Sequence, residues 1–272
     1  MDTRFFLGIG LAIVLVFCGA TVYSSITKLS TAALVPEDRE TLYQVSTIDA
    51  LTQGVFDGIQ PISELKKHGD FGIGTFDALE GEMIILDGKV YQAKADGRVY
   101  TVMDNATTPF ATVTHFNRDF SLTTGQPMNF SVFSMNMSTS LPSQNMIYAV
   151  RMHGIFPQMK VRAIPAQQKP YPTLTDAAKN QSVYTFSNST GTVVGFYMPE
   201  FMKGLNVAGY HLHYISDDHL TGGHILDFAV LQNTTVEYDI TPGFTMSIPT
   251  GGDFVKVDLS KNLTSEIANV EN

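Results

Sequence analysis

Tryptophan is absent from this chain and cysteine occurs once, at Cys18. A single thiol makes no internal disulfide, so the fold must be held by its core, by metal or by association. Charge is also scarce. Asp, Glu, Lys and Arg make up 16% of the residues, and 26 acidic against 17 basic side chains give a net charge of −9. No basic stripe is present, which argues against a nucleic-acid partner. Gly72-Ile73-Gly74 lacks the third glycine and the following helix of a nucleotide loop. The 12 methionines form no Met-x-x-Met cluster and read as core filler rather than a copper site. What is plentiful is apolar surface: 44% of 272 residues, enough for a core and too much for disorder.

The uncharged run Phe5–Tyr23 approaches the thickness of a bilayer. Phe5–Phe17 has the length of a signal h-region and Cys18-Gly19-Ala20 is a passable cleavage site. Residues 1–27 are therefore expected to be a signal peptide or membrane anchor, and 28–40 a polar linker. Seven Asn-x-Ser/Thr triplets, at Asn105, Asn129, Asn136, Asn180, Asn188, Asn233 and Asn262, favour a glycoprotein facing the cell exterior. A catalytic part facing the cytoplasm remains the alternative, in which case the triplets are chance.

Beyond residue 40 the pattern is β-rich. Asp87-Gly88 between Ile84-Ile85-Leu86 and Lys89-Val90-Tyr91 predicts a tight hairpin. Strands are expected over 110–116, 146–151, 159–164, 192–197, 207–215, 224–231, 235–238 and 244–248. Short helices are expected near 46–51, 62–67 and 175–179, and a final one from Thr264 carries Ile267 and Val270 on one face. Hairpin turns dominate, so the expected class is α+β with mixed or antiparallel sheets. Pro165, Pro170 and Pro172 suggest a junction between two domains, 41–164 and 165–272.

The most informative run is His211-Leu212-His213, followed by Gly222-Gly223-His224. Side chains at i and i+2 of a strand share a face, so His211 and His213 point the same way. His224 returns on the neighbouring strand after a turn. Three neutral imidazoles converging from two strands suit Zn²⁺ with an open position, and neutral ligands leave the metal its full charge. His68, His115 and His153 read as ordinary helix-end or strand residues. From local sequence alone, Glu82 equally suits a solvated hairpin and Arg162 a surface strand.

Several stretches in consistent order resemble the α-acetolactate decarboxylase family. They are Tyr43-Gln44-Val45-Ser46-Thr47, then His68-Gly69-Asp70-Phe71-Gly72-Ile73-Gly74-Thr75-Phe76 with Leu79-Glu80-Gly81-Glu82, Arg162 to Lys169-Pro170-Tyr171, the two histidine segments, and the tail Glu266–Glu271. The resemblance implies three zinc ligands, His211, His213 and His224. It implies active-site roles for Glu82, Arg162 and Glu271, with Glu266 the alternative to Glu271, and a pocket-lining Thr75. Where many members carry Arg between the metal segments, this sequence has His219. The implied reaction is zinc-dependent decarboxylation of (S)-2-acetolactate to (R)-acetoin and CO₂. The implied partner is a small 2-hydroxy-3-oxo acid, and the implied assembly a homodimer. A zinc hydrolase, or a non-catalytic metal-binding surface module, stands as the competing reading.

Overall fold

The computed structural model describes residues 39–271. The expected leader and all but the last residues of the linker lie outside them. No helix among the described residues is long and apolar enough to cross a membrane.

Two seven-stranded sheets carry the structure. The first runs in spatial order Gly243–Ser247, Thr41–Val45, Ala111–Thr114, Phe71–Thr75, Glu82–Leu86, Lys89–Ala93 and Val99–Thr101. Only its first pair is parallel. The second runs Met128–Asn129, Gly222–Val230, Gly209–Ser216, Ser182–Met198, Tyr148–Ala163, Thr235–Ile240 and Phe120–Thr123, all antiparallel. Residues 158–162 also pair with 224–229, so the four central strands of the second sheet close on themselves. With five short α-helices among the described residues, this is the expected α+β class.

Alternation along each strand decides which face meets which. In the first sheet Phe71, Ile73 and Ile84 pack against Val194, Phe196, Met198 and Ile215 of the second sheet. The intervening Met83 and Ile85 pack on the other side against Ile62 and Leu65 of the helix Ile62–Leu65. In the second sheet Tyr210, Leu212 and Tyr214 point into the closed part, where Phe133, Phe156 and Phe228 fill the core. The residues between them must therefore face the first sheet. A third cluster, including Ile48, Leu51, Leu174, Ile267 and Val270, packs the short helices Ile48–Thr52, Leu174–Ala178 and Thr264–Glu271 together.

The hairpin at Asp87-Gly88 forms as expected, with φ of +50° and +73°, the left-handed pair that a two-residue turn requires. Three readings differ from the structure. The strands expected over 146–151 and 159–164 are one continuous strand, Tyr148–Ala163. Pro157 sits inside it, where the ladder skips a residue, between the pairs Phe156–Ser189 and Gln158–Ser187. A missing N–H costs nothing there. The helix Phe130–Ser140 was not expected, because its Phe, Ser, Asn and Met residues lack a helical stripe; Asn129 caps it by accepting from the Val132 N–H. The expected division at 164/165 does not separate the sheets. Gly243–Ser247 pairs into the first sheet and Phe120–Thr123 into the second, and the described residues all lie in one compact unit.

Candidate active site

His211 and His213 alternate with Leu212 and Tyr214, so they face the first sheet. His224 stands directly opposite His213 in register. Gly223, at φ +151°, precedes it; a Cβ there would lie 2.5 Å from the Arg162 carbonyl oxygen, so the strands meet this closely only because the residue is glycine. The three ring centroids are 5.3, 5.0 and 5.3 Å apart. One nitrogen from each ring lies within 4.8 Å of the others, the only such histidine or acidic cluster among the described residues. His68, His115 and His153 lie outside it.

The first sheet brings Thr75 and Glu82, a cross-strand pair on the face turned to the histidines. Thr75 donates its hydroxyl to the Gly81 carbonyl at 2.8 Å. Arg162 stands in register opposite His224. Its Nη1 donates to Glu82 Oε1 at 2.8 Å, and its Nη2 to Glu271 Oε1 at 3.2 Å. Glu271 Oε2 in turn lies 3.2 Å from His211 Nε2, and Glu82 Oε2 3.7 Å from His213 Nε2. The final helix thus delivers Glu271, and not Glu266, whose carboxylate meets the Ser265 hydroxyl at the surface. His219 sits at the hairpin turn, its ring against Tyr91.

Thr75, Glu82, Arg162, Glu271 and the three histidines are buried: Arg162 is 2% exposed, His213 and His224 1% each. Burial pushes the His211 pKa down to about 3, and those of His213 and His224 well below the usual 6.5, with the Arg162 guanidinium acting in the same direction. The rings are neutral. His213 Nδ1 lies 2.8 Å from the Met83 carbonyl oxygen, which holds the proton on Nδ1 and leaves the Nε2 lone pair free. Burial likewise pushes Glu82 up to about 7 against the pull of Arg162, and raises Glu271. One guanidinium between two buried carboxyls leaves a proton to be held near neutral pH.

The donor set tests whether a metal fits. Nδ1 of His211, Nε2 of His213 and both nitrogens of His224 are buried without a hydrogen-bond partner. Such orphans are rare in folded proteins. Neutral lone pairs converging from three rings are what a divalent cation satisfies. Arg162 Nε is orphaned in the same place, a donor awaiting an anionic acceptor.

The sequence did not reveal the apolar half of this pocket: Ile48, Leu51, Leu79, Phe110, Ile164 and Leu174 line it opposite the charged groups. They come from separate segments with no shared motif. The free cavity is about 20 Å³, room for one water. Larger hollows of about 230 and 580 Å³ are lined by none of the charged groups or histidines above.

The alpha-acetolactate decarboxylase family profile matches residues 42–261. An alpha-acetolactate decarboxylase of Methanosarcina mazei is 50% identical over 85% of this chain and 80% of its own length. The crystal structure of alpha-acetolactate decarboxylase from Bacillus subtilis superposes with a TM-score of 0.82 at 36% identity, covering 85% of this chain and 99% of that one. A Staphylococcus aureus structure described as similar to the same enzyme gives 0.78 at 32% identity, over 85% and 100% of the two chains. This chain belongs to the alpha-acetolactate decarboxylase family.

Proposed function

We propose that the pocket between the two sheets is where this carboxy-lyase removes CO₂ from (S)-2-acetolactate to give (R)-acetoin. The observation that carries the reading is Arg162. It is buried between two carboxyls, with Nε unsatisfied, beside three neutral imidazoles whose lone pairs have no partner.

Loss of CO₂ breaks the bond between the carboxylate carbon and C2. The electron pair stays at C2, conjugated with the C3 ketone as an enediolate, and a proton must then reach one face of that carbon. A zinc ion held by His211, His213 and His224 would supply the Lewis acid and template for the ketone and hydroxyl oxygens. Arg162 binds the substrate carboxylate and orients the breaking bond. Glu82 and Glu271 hold the proton. Burial keeps Glu82 protonated up to about pH 7, matched to general-acid work near neutrality. Thr75, tied to Gly81, shapes the wall beside Glu82. The apolar residues exclude water, so that the proton delivered to C2 comes from a positioned side chain and its face is fixed.

The test is direct: purified protein with racemic acetolactate, with and without chelator, measuring CO₂ and acetoin chirality. Chelator-sensitive CO₂ release with one acetoin enantiomer supports the reading. Ester or amide cleavage without CO₂ points to the hydrolase, and bound metal without turnover to the non-catalytic module. Glu82→Gln with unchanged turnover and chirality removes that residue from proton delivery.

Three further readings complete the proposal. A homodimer is supported by the edge of Ser182–Thr190, which pairs with Tyr148–Ala163 on one side while Gly209–Ser216 covers only Gly191–Met198 on the other; light scattering tests it. Export or anchoring with glycan attachment is supported by the exposure of Asn105, Asn129, Asn180, Asn188, Asn233 and Asn262. Intact mass from the native cell tests both leader cleavage and glycan.

A further inference from the structure

Leu79 lies three residues before Glu82 and has a backbone that does not suit it. Its φ is +60°, and that of Ala78 is +58°. Two consecutive non-glycine residues in the left-handed region are costly, and bulky side chains fit there worst. Such strain persists only where the surroundings over-determine it, and here they do. Ala78 donates to the Phe56 carbonyl at 2.9 Å, and its own carbonyl accepts from Gln167 at 2.8 Å. Leu79 donates to Phe76 at 2.9 Å, and Gly81 to Ile164 at 2.9 Å. The chain needs no leucine to make this turn, since glycine or asparagine would make it more easily. What the leucine supplies is a side chain, 3% exposed, in the wall of the same pocket as Glu82, Arg162 and His211.

The two halves of the pocket are not equally able to yield. Glu271 ends an eight-residue helix anchored through Ile267 and Val270. A free space of about 20 Å³ is too small for a five-carbon acid, so part of the wall must move to admit one. The turn that carries Leu79 is tied by backbone hydrogen bonds of Ala78 and Gly81 to two other segments, at Phe56 and at Ile164–Gln167, so it is the fixed side of the mould. The substrate's C2 carries a hydroxyl, a carboxylate, an acyl group and one alkyl group. The polar substituents have polar partners here; the alkyl group has only the apolar wall. We propose that Leu79 is the residue that sets the size of the C2 alkyl group this enzyme accepts, favouring methyl over ethyl. This rests on the pocket being the active site.

The experiment uses 2-methyl- and 2-ethyl-2,3-dihydroxybutanoate, in which the ketone is reduced and CO₂ cannot leave. Their binding to the metal-loaded protein is measured by calorimetry. The ratio of kcat/KM for 2-methyl- and 2-ethyl-2-hydroxy-3-oxobutanoate is measured alongside. One methylene in an apolar pocket is worth roughly 10-fold or more, so the unaltered protein prefers methyl by about that factor in both readouts. In Leu79→Ala that preference falls about 10-fold. Leu79→Gly, whose backbone suits the positive φ, gives the same shift should the alanine variant fold poorly. A folded variant of either kind with its methyl preference unmoved overturns the role of Leu79. If the analogues bind without competing against acetolactate turnover, it is the assignment of the pocket as active site that falls.

Discussion

Two buried polar clusters in this molecule make opposite use of burial. Gln44, Asn206 and Thr112 form a neutral one. Gln44 Nε2 donates to the Ser46 and Leu205 carbonyls at 2.7 and 2.8 Å. Asn206 Nδ2 donates to Gln44 Oε1 at 2.7 Å and Thr112 Oγ1 at 2.9 Å, and its Oδ1 accepts from Val207 at 2.7 Å. The amide groups complete one another, and the cluster ties the Thr41–Val45 and Ala111–Thr114 strands to the segment before Gly209–Ser216. The charged cluster around Arg162 is just as buried, but it leaves nitrogens without partners on all three histidines and on the arginine. A satisfied network specifies a fold. An unsatisfied one asks for a guest, and a buried ion pair is by itself weak evidence of a stabilising role.

That contrast breaks most easily at the three histidines. Chelation, or His213→Ala, should abolish acetolactate turnover and lower the unfolding temperature together, because the guest satisfies nitrogens only the folded protein assembles. Elemental analysis and calorimetry check it; full turnover in metal-free protein would erase the distinction between the clusters. Next in size, Glu82→Gln should lower kcat roughly 10²- to 10⁴-fold, the range of a lost general acid. Steady-state kinetics with chiral analysis of acetoin reads it. In the neutral cluster the pattern should invert. Asn206→Ala strands the Gln44 acceptor and the Val207 N–H, and should cost about 1–3 kcal/mol of stability. Its kcat, measured on the folded fraction, should stay within a few-fold.

Smallest is the effect at Asp239, a buried carboxyl outside the three-histidine cluster that accepts from the Asn117 N–H at 3.0 Å. Burial pushes its pKa up from 3.8 to about 7. Between those values the folded state holds a proton that the unfolded chain has released, so this group makes stability fall as pH rises. Asp239→Asn keeps the acceptor and removes the charge. Its unfolding temperature should gain on that of the unaltered protein from pH ~4 upward and level off above about 7. A difference independent of pH would mean the carboxyl ionises freely in the fold.

Which parts could be read in advance follows from the range of the physics. His211 and His213 were legible because strand alternation is local, and Asp87-Gly88 because a two-residue turn carries its own requirement for positive φ. The family resemblance left Glu266 open beside Glu271, and only the packed helix separates them: Ile267, Val270 and Glu271 share its buried face. The helix Phe130–Ser140 was not legible, since tertiary packing of Phe133 and Met137 outweighs its weak pattern. Nor was the unbroken strand through Pro157, which depends on where a partner strand skips a residue. The apolar wall was missed because Leu79, Phe110 and Leu174 become neighbours only once the helices and both sheets are in place.

The chain by itself determined the strand faces, the turns, the helix caps and the three-histidine spacing, all set by backbone geometry within a few residues. Only the tertiary structure decided that Arg162 reaches Glu82, 80 residues away, and Glu271, 109 residues away. It also decided that burial would lift the Glu82 pKa and leave the imidazoles neutral. Those properties arise from desolvation between two packed sheets, which no short stretch of sequence contains.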